Sequence, residues 1–197
     1  MSLDRTITWG LAGGAALLGF ALLLGRKAVK LPLLTMGDSI GEGVGRAIEA
    51  RLLAGQAFTE CRSGEGVEAS RLLASNRLTL HPEVRTVVLS TGVNSLGLGA
   101  PEVMRQTVQI VDQLRQLNVA VVIIGPPPAF DADGATAQWR AELTALERLH
   151  SRMTGRVSLW QLLGDSRNEG YFDSRYGARL HPNADGYARV AAAVLGR

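Results

Sequence analysis

The chain has 197 residues, 46% hydrophobic and 20% charged, which suits one full-sized domain with a packed core and excludes both two comfortable domains and a disordered chain. A net charge of +3, carried by scattered basic residues with no aromatic-interleaved basic stripe, gives no footing for nucleic-acid binding. The single cysteine, Cys61, rules out a disulfide framework and a cysteine metal site, and reads as a small buried residue on a strand.

Residues 7–25, ITWGLAGGAALLGFALLLG, contain no charge. As a helix this run would span ~28 Å, close to the hydrocarbon thickness of a bilayer. A cleaved signal peptide is the rival reading. However, the opening MSLDRT is short and carries an Asp, and no small-x-small cleavage site precedes the RKAVK cluster. The expectation is therefore an uncleaved N-terminal transmembrane anchor over 1–30, basic flank included, followed by a domain over 31–197. The terminal amine and Arg5 flank one side, and Arg26, Lys27 and Lys30 the other; this count places the domain in the cytoplasm by a margin too narrow to decide orientation. Gly10 and Gly14 form a GxxxG, and Ala15 and Gly19 repeat its spacing. Such small residues allow helix pairing in a membrane, and with it a homo-oligomer.

Past the anchor, a strand pattern at 31–36 (LPLLTM) leads through a Gly-rich turn to a helix reaching about Leu53. A second strand is expected at 57–62 (AFTECR), then the turn SGEG and a helix over 67–77. TVVLST (86–91) is a third, strongly apolar strand. The segment 101–117 opens with Pro101 and repeats apolar residues at helical spacing, which predicts a helix. VAVVIIG (119–125) is nearly all apolar, which predicts a strand buried on both faces. A loop (PPPAFDADGA), a helix over about 136–153, a short strand at RVSLWQL, a long polar loop over 164–181 and a last helix from about Asn183 complete the order. Strands alternating with helices imply an α/β, three-layer α/β/α sandwich with a five-stranded parallel sheet. Ligands in such folds sit at the carboxyl ends of the strands, which selects the turns to inspect.

The turn after the first strand, MGDSIGEGVG, puts Ser39 where a strand gives way to a helix, among Gly37, Gly41, Gly43 and Gly45. A nucleophilic serine needs an exposed hydroxyl and a nearby base, and the helix N-terminus behind it offers N–H groups to a developing oxyanion. Ser39 also fits a plain N-cap. A phosphate cradle fits less well, since there is no GK[ST] and no GxGxxG spacing here. After the second strand, Gly64 or Gly66 could point an N–H at Ser39, or simply serve a turn that needs positive φ. After the third, Asn94 in STGVNSLG could donate from its side-chain amide, or be an ordinary turn residue.

These turns, with the HP of His181 and Pro182 before the last helix, occur in an order that resembles the SGNH hydrolases, or GDSL-like esterases and lipases: GDS, then Gly, then GxN, then HP. The resemblance covers nearly the whole of the domain, and MGDSIGEGVG looks like the opening of bacterial and phage-encoded members. It implies a flavodoxin-like SGNH hydrolase fold, Ser39 as nucleophile and His181 as general base. It also implies an oxyanion hole made by the Ser39 N–H, the Gly64 N–H and the Asn94 side chain, with no cofactor and no metal. Two departures stand out. Ser95 replaces the Asp of the family's GxND, with a small effect expected on the supporting loop. The family's DxxH reads ARLH over 178–181, so Ala178 occupies the place of the triad acid. That acid fixes the imidazole tautomer and stabilises the imidazolium. A loop carbonyl or water is expected to take over its role, with Asp173 the nearest substitute carboxylate in sequence; Asp185 is expected to support the last helix.

His81 is expected before the third strand, at the end opposite the site, and His150 on a solvent face beside Arg148 and Arg152. Trp139 and Trp160 read as packing residues. The expectation for function is a membrane-anchored serine esterase. Its best substrate is an O-acetyl group on a cell-envelope polysaccharide or peptidoglycan, with the domain outside the cytoplasm or associated with a virion. A short-chain lipid ester or a thioester is the alternative substrate. A different class of function is a fold that has lost turnover with Ala178 and now binds a glycan or partner in an envelope or virion assembly.

Overall fold

The computed structural model describes residues 29–128, 136–164, 170–172 and 180–196. The expected anchor over 7–25, its Gly10 and Gly14, and both Asp173 and Ala178 lie outside the described residues. Among those described, no helix is long and apolar enough to cross a membrane.

Short apolar runs separated by amphipathic ones give five parallel strands: β1 (Leu33–Gly37), β2 (Ala57–Cys61), β3 (Thr86–Ser90), β4 (Ala120–Ile124) and β5 (Arg156–Val157). Their order in the sheet is β2-β1-β3-β4-β5, so β1 and β3 are central and every one of their residues is buried. The helices are α1 (Ser39–Glu49), α2 (Val67–Leu80), α3 (Ala100–Gln116), α4 (Ala137–His150), α5 (Leu159–Leu163) and α6 (Ala184–Leu195), with a 3₁₀ turn at Val93–Leu98.

Alternation along the strands splits the core in two. Leu34, Met36, Val87, Leu89 and Ile123 face α2, α3 and α4. Leu33, Val88 and Ile124 face α1, α5 and α6. The three-layer parallel sandwich expected from the sequence is the fold observed.

Three local expectations differ. β4 was expected to be buried on both faces, but Ala120 is exposed and only Ile123 and Ile124 are fully buried. The reason is β5, which pairs with Ile123 and Ile124 alone and leaves the start of β4 without a neighbour on that side. The expected strand at RVSLWQL stops after Val157, because Ser158 Oγ accepts the Gln161 N–H at 3.2 Å and starts α5. His150 is 1% exposed rather than on a solvent face. It continues the buried stripe Leu143, Leu146, His150 of α4, and helical spacing outweighs its charged neighbours in sequence.

Candidate active site

β1 ends in Gly37 at φ 126°, where a Cβ would overlap the carbonyl of Ser90 on the neighbouring strand. Glycine therefore allows β1 to run hard against β3 and turn at once into α1. The N-cap of α1 is Asp38, not Ser39. Its Oδ1 accepts the N–H of Ile40 at 3.1 Å, the N–H of Gly41 at 3.2 Å and the hydroxyl of Ser90 at 2.9 Å. The first four N–H groups of a helix lack intrahelical partners. Here the N–H of Asp38 itself donates to the Ser90 carbonyl at 2.9 Å, and those of Ile40 and Gly41 are taken by the Asp38 side chain. The remaining one, on Ser39, has no acceptor among the described residues. The cap thus occupies Asp38 and leaves Ser39 with both its hydroxyl and its N–H disengaged from the helix.

Burial pushes the Asp38 carboxyl up to about 6, against the opposing effect of the Gly41, Ser90 and Ile40 hydrogen bonds. Its Oδ2 is buried without a hydrogen-bond partner among the described residues.

His181 comes from the opposite end of the chain, and its Nε2 lies 2.8 Å from Ser39 Oγ. Its neighbours are anchored on both sides. Leu180 packs against the core, and Pro182 forms a bridge with Phe172. The Asn183 N–H donates to the Tyr171 carbonyl at 2.8 Å, while Asn183 Oδ1 accepts the Gly186 N–H at 2.9 Å and caps α6. Asp185 lies in the first turn of α6, where a carboxylate suits the helix dipole.

Gly64 has φ 76°, in the left-handed region, and its N–H has no acceptor among the described residues. Gly66 is instead the N-cap of α2 at φ −86°. Asn94 sits in the 3₁₀ turn, and its Nδ2 donates to the carbonyl of Glu65 at 3.1 Å. One of the two amide hydrogens is thereby committed and the amide plane fixed, with the second left over. Glu65 is itself buried: Arg77 Nη1 donates to Oε1 at 2.7 Å, Arg77 Nη2 to Oε2, and Ser70 Oγ to Oε1 at 2.7 Å. Ser95, the residue in place of the family's Asp, accepts the Val67 N–H at 2.9 Å and so caps α2 from another loop, since Gly66 has no side chain to do it.

Sequence reasoning missed Asp38 and the Glu65–Arg77 pair. Asp38 carried a legible signal, an N-cap residue type directly before a helix. Arg77 falls on the buried stripe Val67, Ser70, Ala74, Arg77 of α2, a helical spacing that marks it as facing inward. Nothing local to Glu65 pointed to its partner twelve residues away.

The remaining expected residues take structural places. His81 stacks on Phe58 with ring centroids 4.2 Å apart, and Trp139 packs against the core. Cys61 ends β2 half-buried, and burial pushes its thiol up, away from the thiolate. No cluster of His, Cys, Asp or Glu that could hold a metal lies among the described residues.

A serine hydroxyl against an imidazole, with the serine's own N–H unengaged at a helix N-terminus and at the carboxyl end of a parallel sheet, is an arrangement suited to acyl transfer. The sequence profile of the GDSL-like Lipase/Acylhydrolase family matches residues 35–189. The chain belongs to that family, whose activity class is ester hydrolysis. Among solved structures, a lipolytic protein of the G-D-S-L family from Veillonella parvula is 18% identical over 81% of this chain and 93% of its own, with a TM-score of 0.63. A putative acylhydrolase from Bacteroides fragilis is 14% identical over 94% of each chain, with a TM-score of 0.65. An acetyl xylan esterase is 16% identical over 81% of this chain and 96% of its own, with a TM-score of 0.55. At these identities the likeness is one of fold. No curated protein matches the chain.

Proposed function

We propose that the protein is a serine esterase in which Ser39 is the nucleophile and His181 the general base. The single observation that carries this is the 2.8 Å contact between Ser39 Oγ and His181 Nε2, within reach for direct proton transfer. Ser39 Oγ attacks the acyl carbonyl as its proton passes to His181. The oxyanion then accepts from the N–H groups of Ser39 and Gly64 and from the free hydrogen of Asn94. Collapse expels the alcohol, protonated by His181, and a water deprotonated by the same imidazole releases the acid and restores Ser39. No cofactor or metal enters any step.

Position 178 is Ala, so the reading is a Ser-His dyad, with a loop carbonyl or water orienting the imidazole. Asp173 is the substitute carboxylate to test. The proposed substrate is an O-acetyl group on an envelope polysaccharide or peptidoglycan. Two things support it: the uncharged run 7–25, read as an anchor that holds the enzyme at the envelope, and the acetyl xylan esterase among the proteins of like fold. A short-chain lipid ester or thioester is the second substrate reading.

The test exposes the full chain to a fluorophosphonate probe and follows p-nitrophenyl acetate hydrolysis, with Ser39→Ala and His181→Ala alongside. Labelling and turnover lost in both variants are expected. A folded wild type that neither labels nor hydrolyses would sink the esterase reading in favour of a glycan- or partner-binding module. Asp173→Ala then separates a dyad, with activity retained, from a substitute triad.

A further inference from the structure

A groove of about 820 Å³ opens beside Ser39 and His181, between α1 and α6. Gly43 and Ala47 of α1 and Tyr187 of α6 line it. A Cβ on Gly43 would fall 2.2 Å from the Tyr187 ring, so that ring lies directly on the α1 backbone and makes an apolar floor. Further from Ser39 the lining includes Arg46 and Arg51. At helical rise the Arg46 backbone lies ~10 Å along α1 from the nucleophile, and Arg51 follows just beyond the end of that helix. Arg51 Nη1 donates to the carbonyl of Ala47, itself a lining residue, at 2.9 Å, which folds the guanidinium back along the groove. Arg46 is bound to Glu42 at 2.7 Å, but Glu42 does not line the groove. Among the described residues the lining holds these two arginines and no carboxylate.

The groove lies on the His181 side of the nucleophile. Gly64 and Asn94, the proposed oxyanion donors, do not line it; of the oxyanion loops only Ser63 reaches it, whereas His181, Pro182 and Asn183 all do. In ester hydrolysis the imidazole returns its proton to the leaving oxygen, so the leaving alcohol must lie beside His181. Resting on the esterase assignment above, we infer that the alcohol part of the substrate runs along this groove and carries an anionic group, a carboxylate or a phosphate, that Arg46 and Arg51 bind. The apolar floor takes the intervening atoms, and the guanidinium forks suit either anion. The substrate class is thus an acyl ester of an anionic alcohol.

The experiment uses the full chain and three homologous probe series that release acetate: ω-acetoxyalkanoates from butanoate to dodecanoate, the matching neutral ω-acetoxyalkanamides, and ω-acetoxyalkyl phosphates. The readout is the ratio of kcat/KM for an anionic ester to that of its neutral match. The ratio should reach about 3- to 10-fold in the longer members at low ionic strength, the scale of two partly exposed ion pairs, and fall toward unity in high salt. The butanoate, the shortest member, should show the smallest preference. Arg46→Gln and Arg51→Gln should each lower the ratio and together abolish it. Glu42→Gln, which frees Arg46 from its partner, should raise it. A preference confined to the carboxylates or to the phosphates names the source of the charge.

A wild-type ratio of one across all lengths, with p-nitrophenyl acetate still turned over, overturns the inference and leaves the esterase intact. So does a preference that survives in the double arginine variant. Loss of p-nitrophenyl acetate turnover in the wild type overturns the esterase assignment and, with it, this inference.

Discussion

Glu65 holds Asn94 by its backbone and Arg77 by its side chain: the carbonyl accepts from Asn94 Nδ2 at 3.1 Å, and the carboxylate is buried against the guanidinium of Arg77. Gly64 is the residue directly before it. Two of the proposed oxyanion donors are therefore indexed to one residue, and that residue is fixed by an ion pair anchored on α2.

Arg77→Met leaves the Glu65 carboxylate buried without its cation. Breaking a buried pair by removing one partner costs roughly 3–5 kcal/mol, a large share of the stability of a single domain. Glu65→Gln removes the charge opposite the buried Arg77 but keeps the shape and one acceptor for it, so it loses less stability than Arg77→Met and is the variant to use for kinetics. It should fold, and should lower kcat about 10-fold with KM little changed, because a displaced Asn94 weakens only transition-state binding. Leu143→Ala, a core truncation remote from the loop, serves as the control for general destabilisation. Equal kcat loss in both variants would show that the Glu65 effect is mere loosening of the fold.

Ser95 tests the departure from the family's third motif. Its hydroxyl caps α2 through the Val67 N–H, and losing a capping side chain costs about 1 kcal/mol. Ser95→Ala should lower stability by that amount in a denaturant titration, with a smaller loss of kcat than Glu65→Gln. Ser95→Asp should cap at least as well, since a carboxylate at a helix N-terminus is favoured by the dipole. An Ala variant as stable as the wild type would mean that the cap is idle.

Much of the fold was open to sequence reasoning because its signals are local and repeated. TVVLS and LLTMG are short apolar runs set between helical patterns, and the four site turns follow from the rule that ligands sit at the carboxyl ends of parallel strands. What escaped was decided by partners distant in sequence. The composition of β4 is that of a doubly buried strand, and only the shortness of β5 explains its exposed start. His150 was read from adjacent arginines, although its spacing from Leu143 and Leu146 is the stronger signal. Ser39 was weighed as an N-cap, and the true cap, Asp38, is the neighbouring residue. That one-residue difference separates a structural serine from one whose hydroxyl meets His181.

Asp38 gives stability a slope with pH. Its folded pKa is raised from 3.8 to about 6, so the folded state holds the proton more tightly than the unfolded chain. The stabilisation is fully present below 3.8 and is lost as pH rises through about 6. A shift of this size amounts to roughly 3 kcal/mol at most. Asp38→Asn keeps an oxygen for Ile40, Gly41 and Ser90 and has no proton to lose. Its stability relative to wild type should therefore climb between pH 4 and pH 7 in urea midpoints taken across that range. A difference that stays flat with pH would show that Asp38 titrates near its ordinary value.

His150 acts in the opposite sense over nearly the same window. Burial pulls its pKa down from 6.5 to about 4, with the nearby Arg156 charge adding to the effect. Neither ring nitrogen has a hydrogen-bond partner among the described residues. The unfolded chain takes up a proton below 6.5 that the folded protein refuses until about 4, so stability is present above 6.5 and is lost as pH falls between these values. The loss is on the order of 3 kcal/mol, and in the wild type it offsets the gain from Asp38. His150→Leu fills a similar volume beside Leu143 and Leu146 and has nothing to titrate. It should be at least as stable as wild type at pH 7 and should remove the acid-side loss, leaving the Asp38 slope exposed as a rise in stability toward pH 4. Combining His150→Leu with Asp38→Asn should remove the slopes these two groups contribute between pH 4 and pH 6.5, leaving that of Glu147, whose carboxyl burial pushes up. A His150→Leu variant that still weakens below pH 6 as steeply as the wild type would place the acid sensitivity in another group.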